Sequence, residues 1–278
     1  MILTDTHCHL DMDRFDADRE SVIERALHAG VNRILVPSLD ALSAVRIAAL
    51  VDHHSLLYAA VGIHPTSIDP LWQGQISALQ GLSGARKVVA IGEIGLDYYW
   101  IQVTHQRALQ RDALRGQLDL AEACGLPVIV HMREQNDAPD GLCAADLLRL
   151  LDDWVRGLRA RGSQLAKRPG VLHSFAGSLD TATTAIGLGF CIGITGPITY
   201  RRAEARRELV RQLPLESLLI ETDAPFLPPE PHRGRRNEPA YVAHIADRIA
   251  AVQSRTPGDV ASTTSRNAAR LFDWGDSD

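Results

Sequence analysis

An eightfold alternation restricts this chain more than any other feature. Eight apolar, β-rich runs cover residues 2–9, 33–37, 57–64, 88–96, 127–133, 170–175, 190–196 and 218–223. Between them lie amphipathic stretches of helical length, among them 19–28, 41–52, 105–124, 144–161, 203–211 and 239–253. Most of the runs are continuously apolar, as strands covered on both faces must be. Strand and helix repeated eight times predict an α/β chain folded as a (β/α)8 TIM barrel, with residues 1–278 forming a single domain. A doubly wound open sheet is the alternative, but no G-x-G-x-x-G follows any run. The proline-rich stretch 225–239 reads as a loop after the eighth strand.

The strand ends carry the chemistry. Of the eleven histidines, His7, His9, His64, His131 and His173 sit where an apolar run stops, as do Glu93 and Asp223. In a parallel barrel all such ends open onto one face, so these side chains would converge there. His7 and His9 flank Cys8. Side chains alternate along a strand, so the two histidines would point inward to grip one metal ion while Cys8 packs outward. Glu93 could bridge two cations. His131 and His173, at matching depth on neighbouring strands, suggest a shared second ion. Asp223 could bind a metal or take a proton from an activated water. Glu221, one layer deeper, reads as a buried support, and Asp97 as a structural neighbour of the site. A carboxylated lysine is excluded as a bridge: Lys87 and Lys167 both fall at the wrong ends of strands, which leaves Glu93. The donor set admits magnesium, manganese or zinc.

Charge narrows the substrate. A net charge of −5 argues against a surface coated for duplex binding. Yet Arg133, Arg201, Arg202, Arg233, Arg235 and Arg236 all follow strand C-termini, on the same face as the ligands. Arginine's planar fork suits phosphate, so Arg133, Arg233, Arg235 and Arg236 are expected to contact a small or single-stranded anionic substrate. The basic residues Arg156, Arg159, Arg161, Lys167 and Arg168 fall on the opposite face and read as a solvated surface. Cys8, Cys124, Cys143 and Cys191 are scattered, without Cys-x-x-Cys, and read as buried thiols. No secretory pattern and no membrane-length apolar run is seen, so a cytoplasmic protein without membrane attachment or obligate protein partner is expected.

The segments Asp5-Thr6-His7-Cys8-His9-Leu10, Gly62-Ile63-His64-Pro65, Gly92-Glu93-Ile94-Gly95-Leu96-Asp97-Tyr98, Val130-His131-Met132-Arg133, His173-Ser174-Phe175, Glu221-Thr222-Asp223-Ala224-Pro225 and Arg233-Gly234-Arg235-Arg236-Asn237-Glu238-Pro239 run in this order from end to end. In them the chain resembles the TatD family of metal-dependent deoxyribonucleases, within the amidohydrolase-like barrels. Ser174 stands where the family commonly has cysteine, and the 134–168 connection is longer than usual. The resemblance implies divalent-metal phosphodiester hydrolysis on DNA, often as a 3′→5′ exonuclease on single strands. It also implies that His7, His9 and Asp223 hold one ion and His131 and His173 another, with Glu93 between. His64 would then sit near the substrate phosphate. On this reading Asp223, Glu93 and His64 are catalytic. The rival readings are a metal-dependent ester or amide hydrolase, such as a D-aminoacyl-tRNA deacylase, and a non-enzymatic binding protein with a degenerate site.

Overall fold

Each apolar run becomes a strand, and each strand pairs in parallel with the next. In a computed structural model the strands are β1 (Leu3–Asp5), β2 (Val31–Pro37), β3 (Leu57–Val61), β4 (Val88–Asp97), β5 (Val128–Arg133), β6 (Gly170–Leu172), β7 (Cys191–Ile194) and β8 (Leu218–Ile220), in spatial order β1 to β8. The ring closes beyond the ends of β8 and β1. Thr6 N donates to Ile220 O (3.2 Å), Asp223 N to His7 O (2.8 Å) and His9 N to Ala224 O (2.8 Å). The structure describes residues 1–274; residues 275–278, the end of the expected single domain, lie outside it.

Helices α1 (Arg19–His28), α2 (Ala41–Asp52), α3 (Trp72–Ser83), α4 (Thr104–Cys124), α5 (Leu142–Ala160), α6 (Leu179–Leu188), α7 (Glu204–Gln212) and α8 (Val242–Gln253) surround the barrel. Their ends follow local chemistry. Asp40 and Ser43 form a capping box on α2, and Gly125 closes α4 in the left-handed region at φ 66°. No helix among the described residues is long and apolar enough to cross a membrane.

A further helix, α9 (Pro257–Phe272), departs from the simple eightfold alternation. Its end and Trp274 pack against the inward residues Leu35, Ala60, Ile129, Val171, Cys191 and Leu219. Those residues form the lower layer of the barrel interior, and the Trp274 ring lies 4.8 Å from that of Tyr58. The N-terminal end is thereby plugged, and the hydrophobic layer would otherwise face water.

Several strands are shorter than their apolar runs. β1 stops at Asp5, so His7 and His9 lie beyond it, and β6 and β8 stop before His173 and Asp223. At the rim the chain leaves the ladder to turn its side chains inward; Ser174 (φ 44°) and Asp223 (φ 55°) both adopt left-handed backbone. β4 does the reverse and runs on to Asp97, so Glu93 lies within the strand rather than at its end. Its Gly95, at φ +142°, has no room for a side chain: an added Cβ would sit 2.0 Å from His131 O.

The four cysteines are unpaired; Cys8, Cys143 and Cys191 are buried as expected, whereas Cys124 is only partly so. Burial pushes the Cys143 thiol up to about 12, the Cys191 thiol to about 11, and Cys8 well above its usual range. At roughly pH 8, Cys124 alone should react quickly with a thiol reagent, and all four thiols only after denaturation. Rapid labelling of Cys8 or Cys191 in the folded protein would contradict this packing.

Candidate metal centre

Period-two alternation continues upward from the apolar layer. Two residues beyond Ile129, Val171 and Leu219 come His131, His173 and Glu221, facing the same interior one layer higher. Cys8 bridges to Ala224 across the closing seam, so His7 and His9 both turn in while Cys8 is fully buried among the surrounding helices. The expected set therefore converges, around a Glu93 that is 2% exposed.

The two oxygens of Glu93 serve different neighbours. Oε2 lies 3.2 Å from His7 Nε2 and 3.8 Å from His9 Nε2. Oε1 lies 2.8 Å from His131 Nδ1, 3.5 Å from His64 Nε2 and 3.7 Å from His173 Nε2. Asp223 Oδ1 completes the first side, 3.5 Å from His9 Nε2 and 3.9 Å from His7 Nε2. His7 Nε2 and His9 Nε2 face each other at 3.2 Å, and the His7 ring stacks on His173 with centroids 3.4 Å apart. Imidazole nitrogens this close must share either a proton or a cation, and nitrogen with carboxylate oxygen is a donor set suited to a divalent metal. The residues fit the ions that the sequence predicts.

His64 also comes within coordinating distance of Glu93 and His131. Its tautomer argues for another role. The Thr66 backbone N–H donates to His64 Nδ1 (3.2 Å), which makes Nδ1 the acceptor and leaves the proton on Nε2. A protonated Nε2 presents a hydrogen-bond donor, not a lone pair, to the cavity.

Supporting groups orient the ligands. Asp97 Oδ2 accepts from His131 Nε2 at 3.1 Å. Glu221, fully buried, lies 3.0 Å from His173 Nδ1 and accepts from Ser174 N and Thr6 Oγ1. Asp5 accepts from the backbone and hydroxyl of Thr222 (2.8 and 2.5 Å), locking the first strand to the last beside Asp223. Two further supports, Gln110 and Gln117, carried no sequence signal beyond being polar; a third, Asn237, lies in one of the segments that carry the family resemblance. Gln110 and Gln117 reach from α4 to the backbone at Asp97 and Ile63, and Asn237 donates to Thr222 O and Phe226 O. Lysine stays out of the site: Lys87 bonds to the His54 and Leu57 carbonyls, and Lys167 to Gln164.

The charges sort themselves. Burial would raise Glu93, but His64, His173, His7 and His131 hold it well below its usual range. Burial would likewise raise Asp223, and His9, His173 and His7 hold it down. Burial lowers His7 to about 4, with cationic His173 adding to the effect, and also lowers His64. Burial works against charge on His131 too, but Asp97 and Glu93 raise it to about 9. On His173, Glu221 and Glu93 overcome burial and raise it to about 10. Burial opposes charge on His9 as well, but Asp223 and Glu93 raise it, so without ions protons on these rings supply the positive charge.

The comparisons with known proteins establish the family. Residues 4–273 match the model of the family described as TatD related DNase. The chain belongs to the TatD family. It is 37% identical to the uncharacterized metal-dependent hydrolase YabD of Bacillus subtilis, over 98% of this chain and 99% of that one. It is 34% identical to a protein of Erwinia tasmaniensis named 3′-5′ ssDNA/RNA exonuclease TatD, over 96% of this chain and 98% of that one. The solved structure of YJJV, a TatD homologue from Escherichia coli K12, superposes with a TM-score of 0.83 at 35% identity and covers 98% of both chains. The protein is thus a TatD-family metal-dependent hydrolase built on a (β/α)8 barrel, and the non-enzymatic reading falls away.

Above the metal-site residues opens a cavity of about 730 Å³, lined by His9, His64, His131, His173, Asp223 and a rim that includes Trp100 and Phe226. Arg133 lines it, held by Asp137 Oδ1 at 2.9 Å and lying 3.8 Å over the Tyr99 ring. Asp137 also lines it, so the start of the long 134–168 connection folds at the mouth. The other three arginines expected at the substrate do not line this cavity. Arg233 stacks on Tyr200 at 4.1 Å. Arg235 lies in the same exposed loop. Arg236 is a correction: its guanidinium is consumed by Asp18 (2.7 and 2.8 Å) and Glu238 (3.0 Å), and lies over the Phe15 ring. Glu238 in turn holds Arg25 of α1 at 2.8 Å. Arg236→Ala should lower stability by about 1 kcal/mol, the scale of a partly exposed ion-pair network, and leave KM unchanged. A raised KM in a variant of normal stability would return Arg236 to the substrate. On the opposite face Arg156, Arg161 and Arg168 pair with Asp152, Glu122 and Asp273, as a solvated surface does.

Proposed function

We propose that this chain is a phosphodiesterase that removes nucleotides from the 3′ end of single-stranded DNA. Its site would use two divalent ions, of magnesium, manganese or zinc. His7, His9 and Asp223 would hold one and His131 and His173 the other, with the Glu93 carboxylate between. The division of the two Glu93 oxygens between separate histidine sets carries this reading. The relatives named as exonucleases support the substrate class. So does the rim, where Trp100 is 64% and Phe226 43% exposed: aromatic faces of this kind stack the bases of single strands.

Divalent ions bound here would polarise the phosphate and acidify a water molecule. The rest falls to the chain's own groups. Asp223, held ionised yet reached by solvent, accepts the proton of the attacking water. His64 Nε2–H donates to a phosphate oxygen or to the leaving group. Arg133, braced by Asp137 and Tyr99, presents its remaining donors to the phosphate chain. Asp97 and Glu221 keep His131 and His173 in register with Glu93.

The test is a 5′-labelled single-stranded oligonucleotide incubated with the protein and each metal in turn. A ladder shortening from the 3′ end is expected. No shortening with any ion, together with amino-acid release from an aminoacyl-tRNA, would replace this reading with ester hydrolysis.

A further inference from the structure

Arg133 and Arg206 are the two arginines that line the cavity, and their surroundings differ. Arg133 is braced by a carboxylate. Arg206, in the first turn of α7, has no ion pair among the described residues and donates only to Phe175 O, at a long 3.4 Å. Its neighbour Arg207 shows what a structural arginine does here: it pairs with Glu204 and caps the Ile198 and Tyr200 carbonyls. Arg206 makes no such use of its fork. Most of its surface is removed from water, and burial lowers its pKa although Tyr200 and Asp137 work against that. A desolvated guanidinium without an anion is costly, so its position calls for one. The place in the fold fits as well. The loops after the seventh and eighth strands of such barrels are a recurrent phosphate site, and α7 follows β7.

We propose that Arg206 binds a substrate phosphate adjacent to the scissile one, forming a second anion subsite. Tyr200 and Asp137 are the groups that act electrostatically on it, and Glu93 and Asp223 are not among them. It also borders a smaller apolar pocket of about 110 Å³ with Phe175, Ala176 and Ile198, so the same subsite offers apolar surface beside the phosphate. This inference rests on the phosphodiesterase reading and deepens it by stating that the enzyme recognises two phosphates.

Three substrates test it: bis(4-nitrophenyl) phosphate, the dinucleotide dTpdT, and the same dinucleotide with an added 5′- or 3′-phosphate. The metal-loaded wild type should prefer one of the two phosphorylated dinucleotides. Arg206→Gln should raise KM for that substrate by about 10-fold to 100-fold, the loss of a charged hydrogen bond, and abolish the preference. Its kcat/KM on the single-phosphate substrates should stay within about twofold, and Arg206→Lys should recover part of the preference. Equal losses on all substrates, or none on any, would overturn the proposal. If the wild type cleaves no phosphodiester, the proposed function fails on its own, and the subsite is then read by binding. The phosphorylated dinucleotide should quench Trp100 fluorescence with an affinity about 10-fold weaker in Arg206→Gln; equal affinity would sink the subsite.

Discussion

Replacing Glu93 by alanine is expected to reduce turnover on the order of a thousandfold or more under saturating metal. It should cost more than the loss of any single histidine. The reason is positional. Glu93 Oε2 serves His7 and His9 while Oε1 serves His131, so one carboxylate stands between both candidate ion positions. Losing His9 or His131 removes a donor from one position; losing Glu93 removes the shared donor from both and leaves crowded imidazoles without a central negative charge. Glu93→Gln keeps the shape and removes the charge, and should fall close to the alanine variant. Metal content by mass spectrometry and kcat on an oligonucleotide are the measurements, with circular dichroism to confirm folding. Near-normal turnover, or loss of only one ion, would falsify the bridging assignment.

Loading the ion-free protein with a divalent cation at neutral pH should expel at least about two protons per chain, with His9, also raised, adding to the release. The main sources are His131 and His173, held at about 9 and about 10 by neighbouring carboxylates against an ordinary value of 6.5. A ligand must be deprotonated, so apparent metal affinity should climb by up to about tenfold per pH unit for each proton displaced. The climb should begin from acid pH and level off only above about pH 9 to 10. The sign for stability is opposite. A folded-state pKa above 6.5 means that the charged rings contribute their full stabilisation to the ion-free fold below about that pH. The contribution disappears as pH rises through 9 and 10. Chelation should abolish activity, and added metal restore it. Calorimetric titration in buffers of different ionisation enthalpy counts the protons; heats independent of buffer at pH about 7 would mean that neutral imidazoles wait at the site.

Much of this was legible in the residues because strands impose a rule of two. Once apolar runs place Ile129 and Val171 inward, His131 and His173 must follow. The plug made by α9 was not legible, because an amphipathic helix near the C-terminus does not say which end of a barrel it covers. Nor were the arginines. Arg236 and Arg133 look alike in sequence as arginines at or past a strand end, and the difference lies in Asp18, which is 218 residues from Arg236. Arg206 was hidden among Arg201, Arg202, Arg207 and Arg211 on one segment; only the fold distinguishes the member that turns toward the cavity. Gln110 and Gln117 fall seven positions apart on the buried side of α4, a pattern that in sequence resembles ordinary helix surface.

The seam between the first and last strands has a consequence for the order of events during synthesis. Asp5 and Thr222 meet across 217 residues, and His7 and His9 find Asp223 through the same junction. A nascent chain carrying seven strands therefore lacks Asp223 and the closing seam, and has no complete site. Activity arrives only when the last strand docks, so the hydrolase is switched on by its own completion.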